Sequence, residues 1–406
     1  MKKISLIVIM IVITGGTLFY VFNQKDVGRL AFIGTLFTGV EQYENFSRVA
    51  ELFPVTTLNK STHPYQFEDG EALSLPQEFI YGDKAISTET FLSETDTGGL
   101  FILHQGKTRF EEYYLTGGRS VNWLSMSVAK SFISALLGIA VEEGKIESIE
   151  DPITKYVPKL IGSGYENVRI KDIMQMSSGA RWNEDYGDPE SDINRMGRIM
   201  AIGGSLNDFA TTLTNEREPG TFNLYNSTDT QTLGMLLTKA TGRSVTDYMQ
   251  EKLWEPLGME SPAYWMIDDE NMEMVFGGLN ATARDYAKLG ELYRNKGLWN
   301  GKQIVSSDWI EASTTPDAPH LMPGDNPNSD FPLGYGYQWW IMDGTQHEYA
   351  AIGVYNQFIY VNPTHEVVIV KLSANSDYAS TSDESSFREL ETIEFFRAIV
   401  ARLDDK

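Results

Sequence analysis

Ser127 and Lys130 stand three residues apart at the head of a long apolar run, in the segment SMSVAKSF. Residues at this spacing lie on the same face of a helix, so the two side chains can touch. A serine hydroxyl is a weak nucleophile, and a neutral lysine can take its proton if burial lowers the lysine pKa from about 10.4. The first turn of a helix also offers free backbone N–H groups to a developing oxyanion. The spacing therefore predicts acyl transfer.

The same pair also has a plain explanation, because a serine and a lysine occur at this spacing by chance about once or twice in a chain of average composition. Here it is the only S-x-x-K of the chain, and it lies at the start of the most apolar helix that the sequence predicts. The G-x-S-x-G motif of another serine hydrolase architecture does not occur. We therefore keep Ser127 as the candidate nucleophile and Lys130 as its candidate base.

Composition excludes several other chemistries. The 406 residues include no cysteine, so disulfide frameworks, thiolate nucleophiles and cysteine-based zinc sites are excluded. The five histidines are scattered and form no metal-binding pair, so we expect neither a metal nor a cofactor. A formal net charge of -23, without any block of lysine and arginine, argues against nucleic-acid binding.

Residues 1–24 predict a membrane segment. Two lysines, Lys2 and Lys3, precede an apolar stretch from Ile4 to about Phe22. This stretch is long enough to span a bilayer, which takes roughly 20 residues. We favour an uncleaved signal anchor over a cleaved signal peptide, which would have a shorter apolar core and a small-x-small cleavage site. The lysines should remain cytoplasmic, which places the catalytic part on the periplasmic or extracellular side.

The elements that must position the pair are strands and one buried helix. Residues 25–94 predict an extension that packs on the main domain. The stretch LFILHQGKTRFEEYYL then predicts a hairpin. Residues 128–141 are almost wholly apolar and predict a central helix, capped by Ser125 or a neighbour and stopped at Gly144.

The rest of the chain predicts helices in the middle and strands at the end. Residues 147–265 have helical and loop character and predict an inserted, mainly helical subdomain. A capped helix in GGLNATARDYAKLGELYRNKG, strand-like stretches in YGYQWWIM, EYAAIGVYNQFIYVNP and HEVVIVKLSAN, and a last helix in ESSFRELETIEFFRAIVARL follow. Strands at both ends must meet to bury their apolar faces. We therefore expect an α/β fold of the α+β type within residues 95–406, with an antiparallel sheet flanked by helices.

Several segments resemble the β-lactamase and penicillin-binding protein superfamily, in its class C and esterase-like branch. They are WLSMSVAKSFISALLGIAVEEGKIESIEDPITKYVPKL, VRIKDIMQMSSG, YNSTDTQTLGMLLTKATG, LWEPLGM and GGLNATARDYAKLG. The similarity covers roughly residues 95–400. The segments NEDYGDPESD and IGVYNQFIYVNP are most similar to the 6-aminohexanoate-dimer (nylon-oligomer) hydrolase type.

This resemblance implies roles for particular residues. Ser127 corresponds to the acylated nucleophile and Lys130 to its base partner. Tyr225, in YNS, corresponds to the tyrosine that passes a proton to the leaving group, while Ser227 replaces the usual asparagine of that motif. Tyr186, in EDY, matches a substrate-contacting tyrosine of the nylon-oligomer hydrolases.

The third motif departs from the family pattern. β-Lactamases and peptidases carry a lysine or histidine on the strand that faces the serine, whereas this chain has Ala351-Ile352-Gly353. Gly353 still permits close backbone approach, and the N–H of Val354 is expected to form an oxyanion hole with that of Ser127.

The sequence thus predicts a membrane-anchored serine hydrolase that cleaves small ester or amide substrates through an acyl-enzyme. A D-alanyl peptidase or β-lactamase remains an alternative, as does a catalytically silent protein that faces peptidoglycan. The missing cation predicts a preference for neutral acyl substrates over β-lactams, unless Arg181 or Arg195 supplies a positive charge from elsewhere in the chain.

Overall fold

The computed structural model describes residues 42–404. The membrane segment predicted for residues 1–24 lies outside the described residues, as does the first part of the predicted extension. Within residues 42–404, no helix combines the length and the hydropathy that a membrane crossing requires.

The strands of the described residues form two larger sheets and two separate hairpins. The strands are β1 (Val55–Leu58), β2 (Glu78–Tyr81), β3 (Lys84–Ser87), β4 (Thr97–His104), β5 (Lys107–Tyr113), β6 (Trp123–Leu124), β7 (Ala263–Met266), β8 (Leu279–Ala281), β9 (Leu298–Trp299), β10 (Lys302–Gln303), β11 (Gly334–Tyr335), β12 (Trp340–Ile341), β13 (Tyr349–Gly353), β14 (Gln357–Asn362) and β15 (Val367–Ser373). The main sheet has the order β11-β12-β13-β14-β15-β4-β5, and a smaller one has the order β1-β7-β8-β6.

Thirteen α-helices surround these sheets in the described part of the chain. They are α1 (Gln42–Phe46), α2 (Val49–Leu52), α3 (Thr88–Glu94), α4 (Ala129–Glu142), α5 (Ile170–Met174), α6 (Asp192–Ile202), α7 (Leu206–Ala210), α8 (Ser227–Thr241), α9 (Val245–Met249), α10 (Ala283–Arg294), α11 (Ser307–Ser313), α12 (Glu384–Phe387) and α13 (Glu389–Asp404). Short 3-10 turns lie at Met126–Val128, Ile153–Lys155, Pro158–Leu160 and Pro319–Leu321, and a π-helical turn at Gln250–Trp254.

The main sheet joins the two ends of the described chain. Strand β15 pairs antiparallel with β4, from Val367 opposite His104 to Ser373 opposite Thr97. The hairpin predicted from LFILHQGKTRFEEYYL is confirmed as β4 and β5, and Gly106 takes a φ of +72° in its turn. The expectation that strands split along the sequence meet in one antiparallel sheet is therefore also confirmed.

Helices cover both faces of this sheet. On one face α10 packs so closely that a Cβ on Gly290 would lie 2.6 Å from Val368 Cγ1. On the other face the ring centroid of Phe396 in α13 lies 5.4 Å from that of Phe358 and 5.2 Å from that of Tyr360. The predicted α/β architecture with flanking helices is thus confirmed. Both faces of β14 and β15 are covered, which accounts for the mostly apolar residues of these two strands.

The predicted central helix is the first of the helices that lie between β6 and β7 along the chain. Residues 125–262 contain helices and loops, and β7 begins at Ala263, just inside the helical subdomain predicted for residues 147–265. In α4 every residue from Ala129 to Ala140 is buried, and the helix stops where Gly144 adopts a φ of +67°. This confirms the central helix and its glycine stop.

The described part of the extension packs on the rest of the protein. Strand β1 pairs antiparallel with β7, from Val55 opposite Met266 to Leu58 opposite Ala263. In α1 the ring of Phe46 meets that of Trp123 edge-on, with centroids 6.1 Å apart.

Three local predictions are wrong. Ser125 does not cap the central helix, because its hydroxyl donates to the carbonyls of Met126 and Gly277 instead. The stretch EYAAIGVYNQFIYVNP is a hairpin of β13 and β14, which reverses at Tyr355 and Asn356, both with a φ of 65°. The last helix is interrupted at Arg388, whose φ of 56° ends α12 before α13 begins.

Candidate active site

The turn that carries Ser127 lies between the smaller sheet and α4. Met126 has a φ of 46°, which is rare for a bulky residue and has to be held by its surroundings. The backbone N–H of Ser125 provides one hold by donating to the carbonyl of Leu279 at 2.7 Å. Ser127 is 8% exposed, so this strained turn presents its hydroxyl at the floor of a cleft.

Lys130 lies beneath the serine, one helical turn further on, and is 1% exposed. Its Nζ lies 2.8 Å from Ser127 Oγ, 3.1 Å from Ser227 Oγ and 2.9 Å from the carbonyl oxygen of Phe276. Burial lowers the pKa of Lys130 to about 7, and the carboxylate of Glu184 opposes that shift. The lysine is therefore available as a neutral base near neutral pH, as the spacing of the motif requires.

Asn226 positions the two polar residues on either side of it. Its side chain caps α8 by accepting hydrogen bonds from the backbone N–H groups of Thr228 and Asp229. This cap fixes the start of the helix, so Ser227 reaches Lys130 while Tyr225 lies along the wall of the cleft above Ser127.

Tyr225 is held by aromatic packing. Its ring stacks on Trp340, with centroids 5.1 Å apart and an angle of 20° between the planes, and Lys130 Nζ lies 5.0 Å from the ring centroid. Burial and the Glu184 carboxylate raise the pKa of the Tyr225 phenol well above its usual value, while a hydrogen bond with Ser127 acts in the opposite direction. The phenol is thus protonated beside the serine and can supply a proton.

The strand that faces the serine requires a glycine at position 353. A Cβ on Gly353 would lie 2.7 Å from the carbonyl oxygen of Ser125 and 2.9 Å from the backbone nitrogen of Ser127. Only a glycine lets β13 run this close to the nucleophile turn. Val354 follows directly and lines the cleft together with Ser127, as an oxyanion hole formed by these two residues requires.

Glu184 is a site residue that the sequence analysis did not single out. One carboxylate oxygen accepts from Ser227 Oγ at 2.7 Å and from Tyr186 OH at 2.7 Å. The other accepts from the backbone N–H of Ser227 at 3.1 Å and from Trp182 Nε1. The only signal in the sequence was its place two residues before Tyr186, in the segment used for the resemblance.

Two cavities meet at Ser127. We call the larger the acidic cavity; it has a volume of about 510 Å³, and four carboxyl groups line it, on Glu184, Asp330, Glu384 and Glu389. Burial raises the pKa of Glu384 and Glu389 to about 7 and that of Asp330 to about 6. Among residues 42–404, no lysine, arginine or histidine lines this cavity.

The smaller one, which we call the apolar cavity, has a volume of about 290 Å³. None of the described residues that line it carries a charge, and its apolar side chains are those of Met126, Ile193, Met274, Phe276, Val354 and Ala379. Tyr186 lines both cavities, whereas Tyr225 lines the acidic one and Ser227 the apolar one. A substrate that lies across Ser127 therefore has two chemically different ends.

The arginines considered as replacements for the missing cation lie elsewhere. Arg181 and Arg195 both pair with Asp192, at 3.6 Å and 2.9 Å, and neither lines either cavity. None of the described residues that line the two cavities therefore supplies the positive charge that the third motif usually provides. Within the described residues, no three acidic or histidine side chains are placed to hold a metal ion.

The chain is similar to several known proteins. A family model described as Beta-lactamase matches residues 94–391. The 6-aminohexanoate-dimer hydrolase of Paenarthrobacter ureafaciens is 29% identical over 346 residues, which cover 82% of this chain and 85% of that relative.

Solved structures extend the comparison of the fold. A structure from Bacillus anthracis, whose name assigns it provisionally to the 6-aminohexanoate-dimer hydrolases, superposes with a TM-score of 0.80 at 22% identity and covers 91% of this chain and 96% of that chain. A family VIII carboxylesterase superposes with a TM-score of 0.55 at 13% identity, over 75% of this chain and 92% of that chain.

Proposed function

The chain belongs to the beta-lactamase family and is a serine hydrolase similar to the 6-aminohexanoate-dimer hydrolases, and we propose that Ser127, Lys130 and Tyr225 carry out its acyl-enzyme chemistry. The contact of 2.8 Å between the serine and a buried lysine is the observation that carries this proposal. The lowered pKa of Lys130 also supports it, because a base that is already protonated at the working pH cannot accept the proton of the serine.

In the proposed reaction, neutral Lys130 takes the proton of Ser127 as its Oγ attacks the carbonyl carbon of an ester or amide. The negative charge on the carbonyl oxygen is stabilised by the backbone N–H groups of Ser127 and Val354, at about 2.7–4 kcal/mol per donor. Tyr225 then gives its proton to the leaving group and takes up the proton that Lys130 removed from Ser127, so both groups return to their starting protonation states. A water molecule next attacks the acyl-enzyme and gives up a proton to Lys130, and the Ser127 oxygen regains a proton as it leaves the acyl group.

We assign the two ends of the substrate from the position of Tyr225. The leaving group must receive the proton from this phenol, so it lies in the acidic cavity, while the acyl chain lies in the apolar cavity. Carboxyl groups around a leaving group favour one that carries an amine and disfavour one that carries a carboxylate. The favoured substrate is an amide or ester between an uncharged linear acyl chain and a neutral or amine-bearing leaving group.

A matched set of amides tests this assignment. The substrates are N-hexanoyl-1,4-diaminobutane, its neutral analogue N-pentylhexanamide and the anionic 5-(hexanoylamino)pentanoate. We expect kcat/KM to fall in that order, by roughly tenfold at each step, because a charge-assisted hydrogen bond contributes about 1.5–3 kcal/mol. A highest kcat/KM for the anionic amide would contradict the assignment.

The acidic cavity also separates this proposal from the alternatives. Penicillins and D-alanyl peptides carry a carboxylate beside the scissile bond. The ionised carboxyl groups of the acidic cavity would repel it, since no lysine, arginine or histidine among residues 42–404 lines that cavity. A silent binding protein would need neither the Ser127–Lys130 contact nor a phenol at Tyr225. We therefore expect nitrophenyl butyrate to be hydrolysed with a higher kcat/KM than a chromogenic cephalosporin; the opposite preference would favour a β-lactamase.

We keep the membrane location as a separate proposal, based on the apolar stretch between Ile4 and Phe22. The full-length chain should then sediment with membranes, with its catalytic part accessible from outside the cytoplasm. A chain starting near Asp26 should remain in the supernatant and keep its activity. Recovery of the full-length chain in the supernatant would contradict the proposal.

A further inference from the structure

The hydrogen bonds around Lys130 have a direction that depends on its protonation. Three oxygens contact Nζ, those of Ser127, Ser227 and Phe276. An ammonium group donates to all three of them. A neutral amine has two N–H groups and one lone pair, so one of the three oxygens must donate to the nitrogen instead. The carbonyl of Phe276 has no proton to give, which leaves the two serines.

The proton of Ser227 is already used elsewhere. Ser227 Oγ lies 2.7 Å from Glu184 Oε1, and an ionised carboxylate can only accept. A hydroxyl has a single proton, so Ser227 Oγ donates to Glu184 and can only accept from Lys130. Ser127 is then the one oxygen that can donate to the lone pair of Lys130.

Glu184 itself is firmly held in this arrangement. Tyr186 OH donates to it at 2.7 Å, Trp182 Nε1 donates to its other oxygen, and the backbone N–H of Ser227 donates at 3.1 Å. A carboxylate with this many donors does not rotate freely and stays an acceptor.

On the basis of the function proposed above, we propose that Glu184 is a positioning residue that acts through Ser227 to aim the lone pair of neutral Lys130 at the hydroxyl of Ser127. In the acylation step the Ser127 O–H bond breaks, an N–H bond forms on Lys130, and the serine oxygen bonds to the carbonyl carbon. Glu184 neither gains nor loses a proton. Its negative charge stabilises the ammonium group that forms.

The test is Glu184→Gln. The amide NH2 of glutamine can donate to Ser227, whose own proton is then free to bond to the lone pair of Lys130 in competition with Ser127. We expect kcat/KM for nitrophenyl butyrate to fall about tenfold to a hundredfold, the range of a hydrogen bond to a charged group. Loss of the carboxylate also lowers the pKa of Lys130, so the acid limb of the pH profile should move to lower pH. Glu190→Gln is the matched control, because this exposed carboxylate pairs with Arg198 at 3.7 Å and should leave the profile in place.

A double-mutant cycle separates positioning from support of the loop. In a Ser227→Ala background there is no hydroxyl to orient, so Glu184→Gln should cost less than threefold. An equal loss in both backgrounds, with an unmoved acid limb, would overturn the proposal. If Glu184→Gln does not fold, Ser227→Thr, which keeps the hydroxyl that links Glu184 to Lys130, should be more active than Ser227→Ala, and equal activities of these two variants would overturn the proposal as well. Failure of wild-type Ser127 to form an acyl-enzyme would refute the proposed function instead, whatever Glu184 does.

Discussion

Within residues 42–404, two buried lysines contact serines, and only one of the two lies in a cleft. Lys130 contacts Ser127 at the junction of the acidic and apolar cavities. Lys371, in the centre of β15, is 0% exposed and donates to Thr95 Oγ1 at 3.0 Å and to Ser373 Oγ. Burial lowers the pKa of both lysines, to about 7 for Lys130 and well below the usual value for Lys371.

The two pairs differ in their surroundings, although burial lowers the pKa of both lysines. Ser373 lies in a strand covered on both faces, and neither it nor Lys371 lines the acidic or the apolar cavity. Ser127 lies at the start of a helix, beside the strand that contains Gly353, and lines the same cavity as Tyr225. Access from the two cavities, the neighbouring Val354 and the Tyr225 phenol distinguish the first pair from the second.

The largest expected difference between the two pairs is in the rate. Ser127→Ala should lower kcat for nitrophenyl butyrate by at least about a thousandfold, since the group that forms the covalent bond is lost. Ser373→Ala should retain the wild-type rate. Steady-state kinetics on both variants, with circular dichroism to verify folding, make the comparison. A Ser373→Ala enzyme as slow as Ser127→Ala would show that the two pairs are not distinguished by the cleft.

Tyr225→Phe sharpens the comparison, because it removes only the phenol proton that we assign to the Ser127–Lys130 pair. Amines must be protonated to leave, whereas nitrophenolate leaves as an anion. We expect a loss of about a hundredfold on N-pentylhexanamide and of less than tenfold on nitrophenyl butyrate. Equal losses on the two substrates would contradict the role of Tyr225 as the proton donor.

The pH dependence should report on one lysine only. Lys130 must be neutral to accept a proton, and burial lowers its pKa to about 7, so log kcat/KM should rise with pH through about pH 7 and level off above it. On the acid side, kcat/KM should rise about tenfold per pH unit. A profile that is flat between pH 5 and 8 would indicate that Lys130 does not act as the base.

The smallest expected effect is that of Lys371→Met. Burial lowers the pKa of Lys371 well below its usual value and makes its charged form costly, so an apolar side chain of similar length should change the free energy of unfolding by less than about 1.5 kcal/mol. The kcat/KM for nitrophenyl butyrate should be unaffected. Denaturant unfolding measures the change in stability, and ester hydrolysis measures the change in kcat/KM. A loss of activity at unchanged stability would show that Lys371 contributes to the active site.

The sequence could predict features that depend on local spacing. The contact between Ser127 and Lys130 follows from helical periodicity, and the glycine at position 353 follows from the backbone approach that the resemblance implies. The union of β4 with β15 follows from the need to bury two sets of apolar strands.

Features that depend on distant segments were not predictable in this way. The acidic cavity brings Glu184 together with Asp330, Glu384 and Glu389, which no local pattern connects. Glu184 gains its importance only when its loop folds over the start of α8. The reversal is made by two left-handed residues, Tyr355 and Asn356, and the interruption by one, Arg388; none of them is a glycine that would have indicated a break.

The central claim is that Ser127 forms the covalent acyl-enzyme, and peptide mapping of the fluorophosphonate-labelled protein by mass spectrometry tests it most directly. We expect a single stoichiometric adduct on the peptide that contains Ser127, slowed by Lys130→Ala and absent from Ser127→Ala. An adduct on any other serine, or full labelling of Ser127→Ala, would contradict the claim.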